Sequence, residues 1–430
     1  MIQRMALAWV GAWLVLAAFV IGRFAEEALP LWYLARPLAV AGAVSLGIGL
    51  GAVWLAGRHA VAAASGAALL VALPLPVVIL SFAAGIIGSD LWRRRSGHPV
   101  ESQRPVLILA AAFLVMSGIR MVGVVDVSSP STYSDDAGGP PMYVILLDGY
   151  PRADSLAQLG IDNQPFVNAL EDRGFDYYAD AHSIHSRTQK TLLAMLTEEA
   201  VNDDPVGVAE LRAARSRLAV PPGFVAVDPP VGYVTLSHGP RIDPGGPNDF
   251  EIELVGQSAV GVLAPDWAYG LLLEGLRDRV DRTLALLPEL AEPRVFAHVM
   301  APHPPFLYGA EGYAQTPRWC WPDCGLFTNF IEDLGISREQ WGSGMAQQLE
   351  GLNERLLETV DELLARHSDA VVVLFSDHGG RTARAELDEW HRSFLAARTP
   401  GHPGLFAEAP RPDVVIRILL DAYGDAAPGS

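Results

Sequence analysis

VVVLFSDHGG, residues 371–380, is the stretch whose reading decides the fold. Five apolar residues run unbroken, Ser376 follows, then an acid and a histidine stand side by side before two glycines. A short Val/Leu/Phe run without alternation predicts a strand buried on both faces, as in a parallel sheet. Open α/β sheets carry their ligand chemistry at the carboxyl ends of their strands, where Asp377 and His378 stand. Asp offers a hard oxygen and His a borderline nitrogen, a pair suited to zinc or manganese. Gly379 and Gly380 let the backbone turn sharply beyond them. A strand ending in an ordinary polar turn fits the same ten residues, so the wider chain has to decide.

A second stretch repeats the pattern. MYVILLDGY, residues 142–150, reads as another buried strand, ending in Asp148 and Gly149. Asp148 alone is equally a turn or cap acid. Residues 156–173 show helical spacing, and 175–179 predict a short strand. AHSIHSRTQKTLLAMLTEE follows at 181–199, and from Thr188 onward Leu192, Met195 and Leu196 share one helical face. Thr188 therefore lies near a helix amino terminus, where free N–H groups and the dipole favour anions; a plain N-cap is the alternative. His182 and His185 read as surface or supporting residues.

Farther on, a helix is expected at 208–218, a strand at 233–236 and a helix over 267–290. RVFAHVMAPHPPFLY, residues 294–308, predicts a strand at 295–299 with His298 and His303 at its end. These two histidines either converge on one site or stand apart as separate polar side chains. An amphipathic helix over 343–367 leads into the 371–380 strand, the alternation of a βαβ unit. His391 and His402 come after it, and 412–423 predicts a closing helix with Pro412 in its first turn. No GxGxxG, P-loop or GxSxG elbow is present.

The first quarter is of a different character. Apolar runs at 5–21, 37–56, 60–87 and 105–125 are each near or above the length that crosses a hydrocarbon core. They predict a membrane region of about four helices over 1–125, a Ser/Gly/Pro-rich linker at 126–141 and a soluble α/β domain over 142–430. The first and third loops hold Arg23, Arg36, Arg93, Arg94, Arg95 and Arg104, against Arg4 and Arg58 for the amino terminus and the second loop. The positive-inside rule then places those two loops in the cytoplasm and the large domain outside.

Residues 1–125 carry nine Arg and four acids, while 126–430 hold 22 basic and 45 acidic residues, a net −23. Such an acidic domain lacks the basic footprint of nucleic-acid binding, so no nucleic-acid partner is expected. Lys190 is the only lysine of the 430 residues. Cys320 and Cys324, in CWPDC, are the only cysteines. Outside the cytoplasm they predict a short-loop disulfide, with free thiols as the alternative.

Taken in order, ILLDGYPRAD, AHVMAPHPPF and FSDHGG resemble the alkaline phosphatase superfamily in its sulfatase-like branch, over about residues 142–423. Apolar spans ahead of an outward domain resemble the phosphoethanolamine transferases and lipoteichoic acid synthases of that branch. The resemblance implies metal ligands at Asp148, Asp377 and His378, with Thr188 as metal-bound nucleophile. Thr191 and Met195 follow Thr188 at the transferase spacing. It implies substrate or second-metal contacts at His298, His303 and, more loosely, His391, with His298 and His303 also catalytic. Lys190 joins them as a candidate phosphate contact, from its place two residues past Thr188. Implied with these are one or two divalent ions, zinc or manganese, a membrane-lipid substrate and a cell-envelope acceptor. The implied activity moves a phospho-alcohol group through phospho-threonine. A hydrolase of phosphate or sulfate esters and a non-catalytic membrane scaffold are the alternatives. No C-x-P-x-R or C-x-A-x-R sulfatase signature is present, and SDHGG replaces the transferases' SDHGE.

Overall fold

Seven strands form one sheet: β1 (Met142–Leu147), β2 (Asp176–Tyr177), β3 (Val225–Val227), β4 (Arg241–Ile242), β5 (Arg294–Val299), β6 (Val371–Phe375) and β7 (Leu395–Arg398). Their order is β2-β7-β6-β1-β5-β3-β4. The computed structural model describes residues 2–27, 31–56, scattered positions from 60 to 68, 139–197, 217–227, 236, 239–258, 261, 264–309, 331–380, 382–383 and 388–424. From β4 through β6 every pairing is parallel, while β7 runs antiparallel to both β6 and β2.

The unbroken apolar runs behave as their composition requires. β1 and β6 are buried at every residue, and so is β5. Met142, Val144 and Leu146 of β1 join Val371, Val373 and Phe375 of β6 in one hydrophobic cluster. The alternate residues Tyr143, Ile145 and Leu147 are also buried, on the opposite face by the two-residue period of a strand. Leu192, Leu193 and Met195 of the helix Thr188–Thr197 close over the first face, with Val415, Ile416 and Leu419 of the helix Val415–Tyr423. Each such side chain contributes about 1.5–3 kcal/mol by leaving water, so this packing fixes the helix carrying Thr188 against the strands.

The helix Arg338–Arg366 precedes β6 as expected and begins at a capping box, Ser337 accepting from Gln340 N and Gln340 from Ser337 N. The helical stretch expected at 156–173 is instead two short helices, Ala153–Gln158 and Gln164–Glu171. Gly160, at φ +76°, takes the left-handed conformation that ends the first. The helix Pro265–Leu286 and the Pro412–Val414 turn leading into Val415–Tyr423 match their expectations. The helix expected at 208–218 and the strand at 233–236 fall almost wholly outside the described residues, as do the apolar runs 60–87 and 105–125.

The chain divides into two compact units, Met1–Val127 with Phe250–Tyr269, and Ser128–Asp249 with Gly270–Ser430. The α/β unit is therefore not one unbroken stretch, because Phe250 and Leu254 pack into the apolar cluster of the N-terminal helices. Those helices are Ile2–Glu27 and Ala35–Ala56. They contain two candidate spans, Met5–Phe24 and Ala35–Leu55, long and apolar enough to cross a membrane. They approach closely where Trp9 Nε1 donates to Gly42 O at 3.3 Å. A Cβ added at Gly49 would meet the Trp9 backbone at 2.9 Å.

Candidate active site

The order β6-β1-β5 puts three parallel strands side by side, so their carboxyl ends open on one place. Asp148 follows β1, Asp377 and His378 follow β6, and His298 lies in β5 opposite Leu146. Backbone bonds hold these ends in register: Asp148 N donates to Val299 O at 2.9 Å, and His303 N to Asp148 O at 3.1 Å. Ser376 ties the turns together. Its hydroxyl donates to Tyr150 O and accepts from Phe394 N, both at 2.8 Å.

At the centre, one ligand atom from each of Asp148, Asp377 and His378 lies within 4.8 Å of the others, and all three residues are buried. Asp377 Oδ1 accepts from Gly149 N at 3.0 Å, which leaves Oδ2 facing His378 Nε2 at 3.3 Å. Asp148 Oδ2 lies 3.0 Å from His298 Nε2, and its Oδ1 lies 3.8 Å from His378 Nε2. Asp148 Oδ1 and Asp377 Oδ2 have no hydrogen-bond partner among the described residues. Two buried carboxylate oxygens left bare beside an imidazole nitrogen are costly without a cation between them. The residues therefore fit a divalent ion with oxygen and nitrogen ligands.

Hydrogen bonds to backbone carbonyls fix three of the histidines. His378 Nδ1 lies 2.8 Å from Gly379 O, His303 Nδ1 2.6 Å from Pro304 O, and His391 Nδ1 2.8 Å from Ser183 O. A carbonyl only accepts, so each Nδ1 carries a proton, and each ring in its neutral form presents Nε2 as a lone pair. His298 is the exception, with Nε2 on Asp148 and a buried Nδ1 that has no hydrogen-bond partner among the described residues. Burial pushes the Asp148 carboxyl up. The His298 hydrogen bond and the charges of His303, His298 and His378 outweigh that effect and hold it well below the usual carboxylate range.

Thr188 opens its helix at this point. Its Oγ1 is 3.5 Å from both Asp148 Oδ2 and His378 Nε2. Thr191, one turn on, donates from Oγ1 to Asp377 O at 2.9 Å and so pins the helix to the end of β6. The structure thus brings Asp148, Asp377, His378, Thr188 and His298 together. His303 is tied to the Asp148 backbone, and its Cδ2 would lie 3.8 Å from a Cβ placed at Gly149. Lys190 is buried on the Thr188 helix, and His391 stands behind Ser183. Cys320 and Cys324 lie outside the described residues.

Gly149 is the functional residue that sequence reading passed over. Its φ is +66°, and a Cβ there would meet His378 Cε1 at 3.3 Å. The only signal in the sequence is a glycine directly after a strand-end acid.

A mostly parallel α/β sheet thus presents two carboxylates, an imidazole and a helix-terminal hydroxyl at its strand ends, a group suited to a divalent ion. No family model matches the chain, and no curated protein does. Among solved structures, it is similar to the C-terminal periplasmic domain of EcEptC from Escherichia coli in complex with Zn, at 14% identity and TM-score 0.40, covering 70% of this chain and 87% of that one. It is also similar to the integral membrane lipooligosaccharide phosphoethanolamine transferase A from Neisseria meningitidis, at 13% identity and TM-score 0.38, covering 90% and 71%. A third is the phosphonate monoester hydrolase of Agrobacterium radiobacter, at 14% identity and TM-score 0.38, covering 66% and 73%.

Proposed function

We propose that this chain is a membrane-anchored, metal-dependent enzyme of the sulfatase-like branch of the alkaline phosphatase superfamily. It moves a phospho-alcohol group from a lipid to a cell-envelope acceptor through phospho-Thr188. One observation carries the reading: Thr188 Oγ1 lies 3.5 Å from both Asp148 Oδ2 and His378 Nε2, beside two buried carboxylate oxygens without hydrogen-bond partners.

Asp148, Asp377, His378 and the Thr188 hydroxyl would hold the ion, zinc or manganese. The ion would lower the hydroxyl pKa and offset the charge of a phosphodiester. Thr188 Oγ1 releases its proton to solvent and attacks phosphorus, and the bond from phosphorus to the lipid-alcohol oxygen breaks. The amides at the start of the Thr188–Thr197 helix face the phosphoryl oxygens. Protonated His303 gives a proton to the leaving oxygen. An acceptor hydroxyl then returns a proton to His303 and attacks the phospho-threonine; the bond from phosphorus to Thr188 Oγ1 breaks, and that oxygen regains a proton from solvent. His298 holds Asp148 in place, while His391 and Lys190 are proposed as contacts to substrate phosphate or a second ion. Residues 1–125 form the membrane region, 126–141 a linker and 142–430, apart from Phe250–Tyr269, the extracytoplasmic domain, with Cys320 and Cys324 paired.

The test uses purified full-length protein, analysed for metal and incubated with membrane extract, with the lipid products identified. Bound divalent ion, diacylglycerol formation and a phospho-alcohol on a new acceptor are expected, all but the metal lost in Thr188→Ala. Free phospho-alcohol without an acceptor product would assign the hydrolase instead. Full turnover in metal-free protein would overturn the reading.

A further inference from the structure

Two contacts inside the N-terminal unit fix the depth of an element that comes late in the chain. Phe250 meets Phe24 edge to face, with ring centroids 5.8 Å apart. Arg36 grips both carboxylate oxygens of Glu251, at 2.9 and 3.1 Å. Phe24 closes the first candidate span, and Arg36 lies at the start of the second. An element packed against both lies where apolar helix gives way to water.

The helix that follows supplies an apolar face. Outside the two N-terminal helices, the large exposed hydrophobics among the described residues are Ile184, Trp267 and Leu271. Trp267 is 61% exposed and Leu271 49%, and four residues apart they share one face of the helix Pro265–Leu286. The next exposed positions along the helix are Glu274, Arg277 and Asp278. The exposed face is thus apolar in its first turns and charged afterwards. Trp is a side chain that membrane–water interfaces favour.

We propose that Phe250–Tyr269, continued by Leu271, is a bilayer-surface element, with Trp267 and Leu271 in the headgroup–acyl boundary of the lipid. The proposal rests on reading the two apolar helices as membrane spans. It has a consequence for topology. The loop between those helices lies on the same membrane face as this segment. β4 ends eight residues before Phe250 and shares one sheet with the other six strands, so chain continuity carries that sheet to the same face. The amino terminus then lies on the opposite face, and the chain crosses an odd number of times before residue 142. The four apolar runs gave four crossings, and counting Arg residues put the first loop opposite the large domain. Arg36 departs from that count because Glu251 supplies its counter-ion from the domain's own side.

Full-length chains carrying Gln3→Cys, Ala35→Cys or Asp172→Cys are exposed to a membrane-impermeant maleimide in intact and permeabilised cells, each read above the labelling of the parent chain. The proposal expects Ala35→Cys and Asp172→Cys to behave alike and opposite to Gln3→Cys. Opposite behaviour of Ala35→Cys and Asp172→Cys would overturn it. Labelling of all three in intact cells would remove the membrane reading and the proposal with it. A second measurement places an environment-sensitive fluorophore on Leu271→Cys or Glu274→Cys in phosphatidylcholine vesicles containing a shallow nitroxide lipid. Several-fold stronger quenching at 271 is expected, and equal quenching at the two positions would refute the lipid contact.

Discussion

Thr191→Val removes the bond to Asp377 O that sets Thr188 against the proposed metal ligands, together with a longer 3.4 Å contact to Ser183 Oγ. Valine keeps the branched shape but replaces the hydroxyl that donates to Asp377 O at 2.9 Å. Thr191 and Asp377 are fully buried, so the carbonyl loses that donor without gaining water. A buried acceptor deprived of its donor costs about 1–3 kcal/mol. For a chain of this size that lowers the apparent Tm by about 1–5 °C. The catalytic effect is separate: with the pin removed, the first turn of the helix shifts relative to Asp148 and His378. Misplacement by about 1 Å costs on the order of 100-fold, so kcat should fall by about 10- to 100-fold with KM little changed. Near-UV circular dichroism melts in detergent and initial rates of lipid turnover measure the two effects. Thr191→Ser, which keeps the hydroxyl, should recover most of both. Wild-type melting and turnover in Thr191→Val, or equal damage in Thr191→Ser, would refute the reasoning.

Gly149→Ala should lose about 1–3 kcal/mol of stability through its left-handed backbone and should lower metal affinity, because the added Cβ meets His378 Cε1 at 3.3 Å. Unchanged metal affinity by competition titration would count against this. Asp148 is held below the usual carboxylate range when folded. Its contribution to stability is therefore full above about pH 4 and is lost as pH falls through the lowered value. Urea midpoints measured from pH 5 down to pH 3 should fall less steeply in Asp148→Asn than in the parent, and equal slopes would contradict the assignment. A chelator should abolish turnover, and added zinc or manganese should restore it; persistence of turnover in chelator would remove the metal from the mechanism.

What could be read from the sequence follows from how each element is stabilised. β1, β5 and β6 are buried throughout, and burial leaves an unbroken apolar run in the chain. Asp148, Asp377 and His378 were readable because they directly follow such runs, and Thr188 because a 3.6-residue pattern starts there. The short strands β3, β4 and β7 were not, whereas the edge strand β2 falls within the strand read at 175–179. β3 has three residues and β4 only two, and the LAAR of β7 has no apolar alternation, so pairing with a neighbour makes each a strand. His298 reaches Asp148 through the β1–β5 register, Leu146 opposite His298, which no local pattern encodes. The Gly149 amide on Asp377 and the carbonyls that set the histidine tautomers are backbone groups and leave no mark in residue type. The segment Phe250–Tyr269 misled the reading of an unbroken domain because Phe250 packs on Phe24, 226 residues earlier in the chain.

The central claim is a covalent phospho-alcohol on Thr188, and mass spectrometry of acid-quenched full-length enzyme under turnover with lipid tests it most directly. The account predicts the adduct on the peptide containing Thr188, localised to that residue and absent from Thr188→Ala, whose folding and metal content stay near those of the parent. An adduct on Ser186 instead, or full turnover in Thr188→Ala, would contradict it.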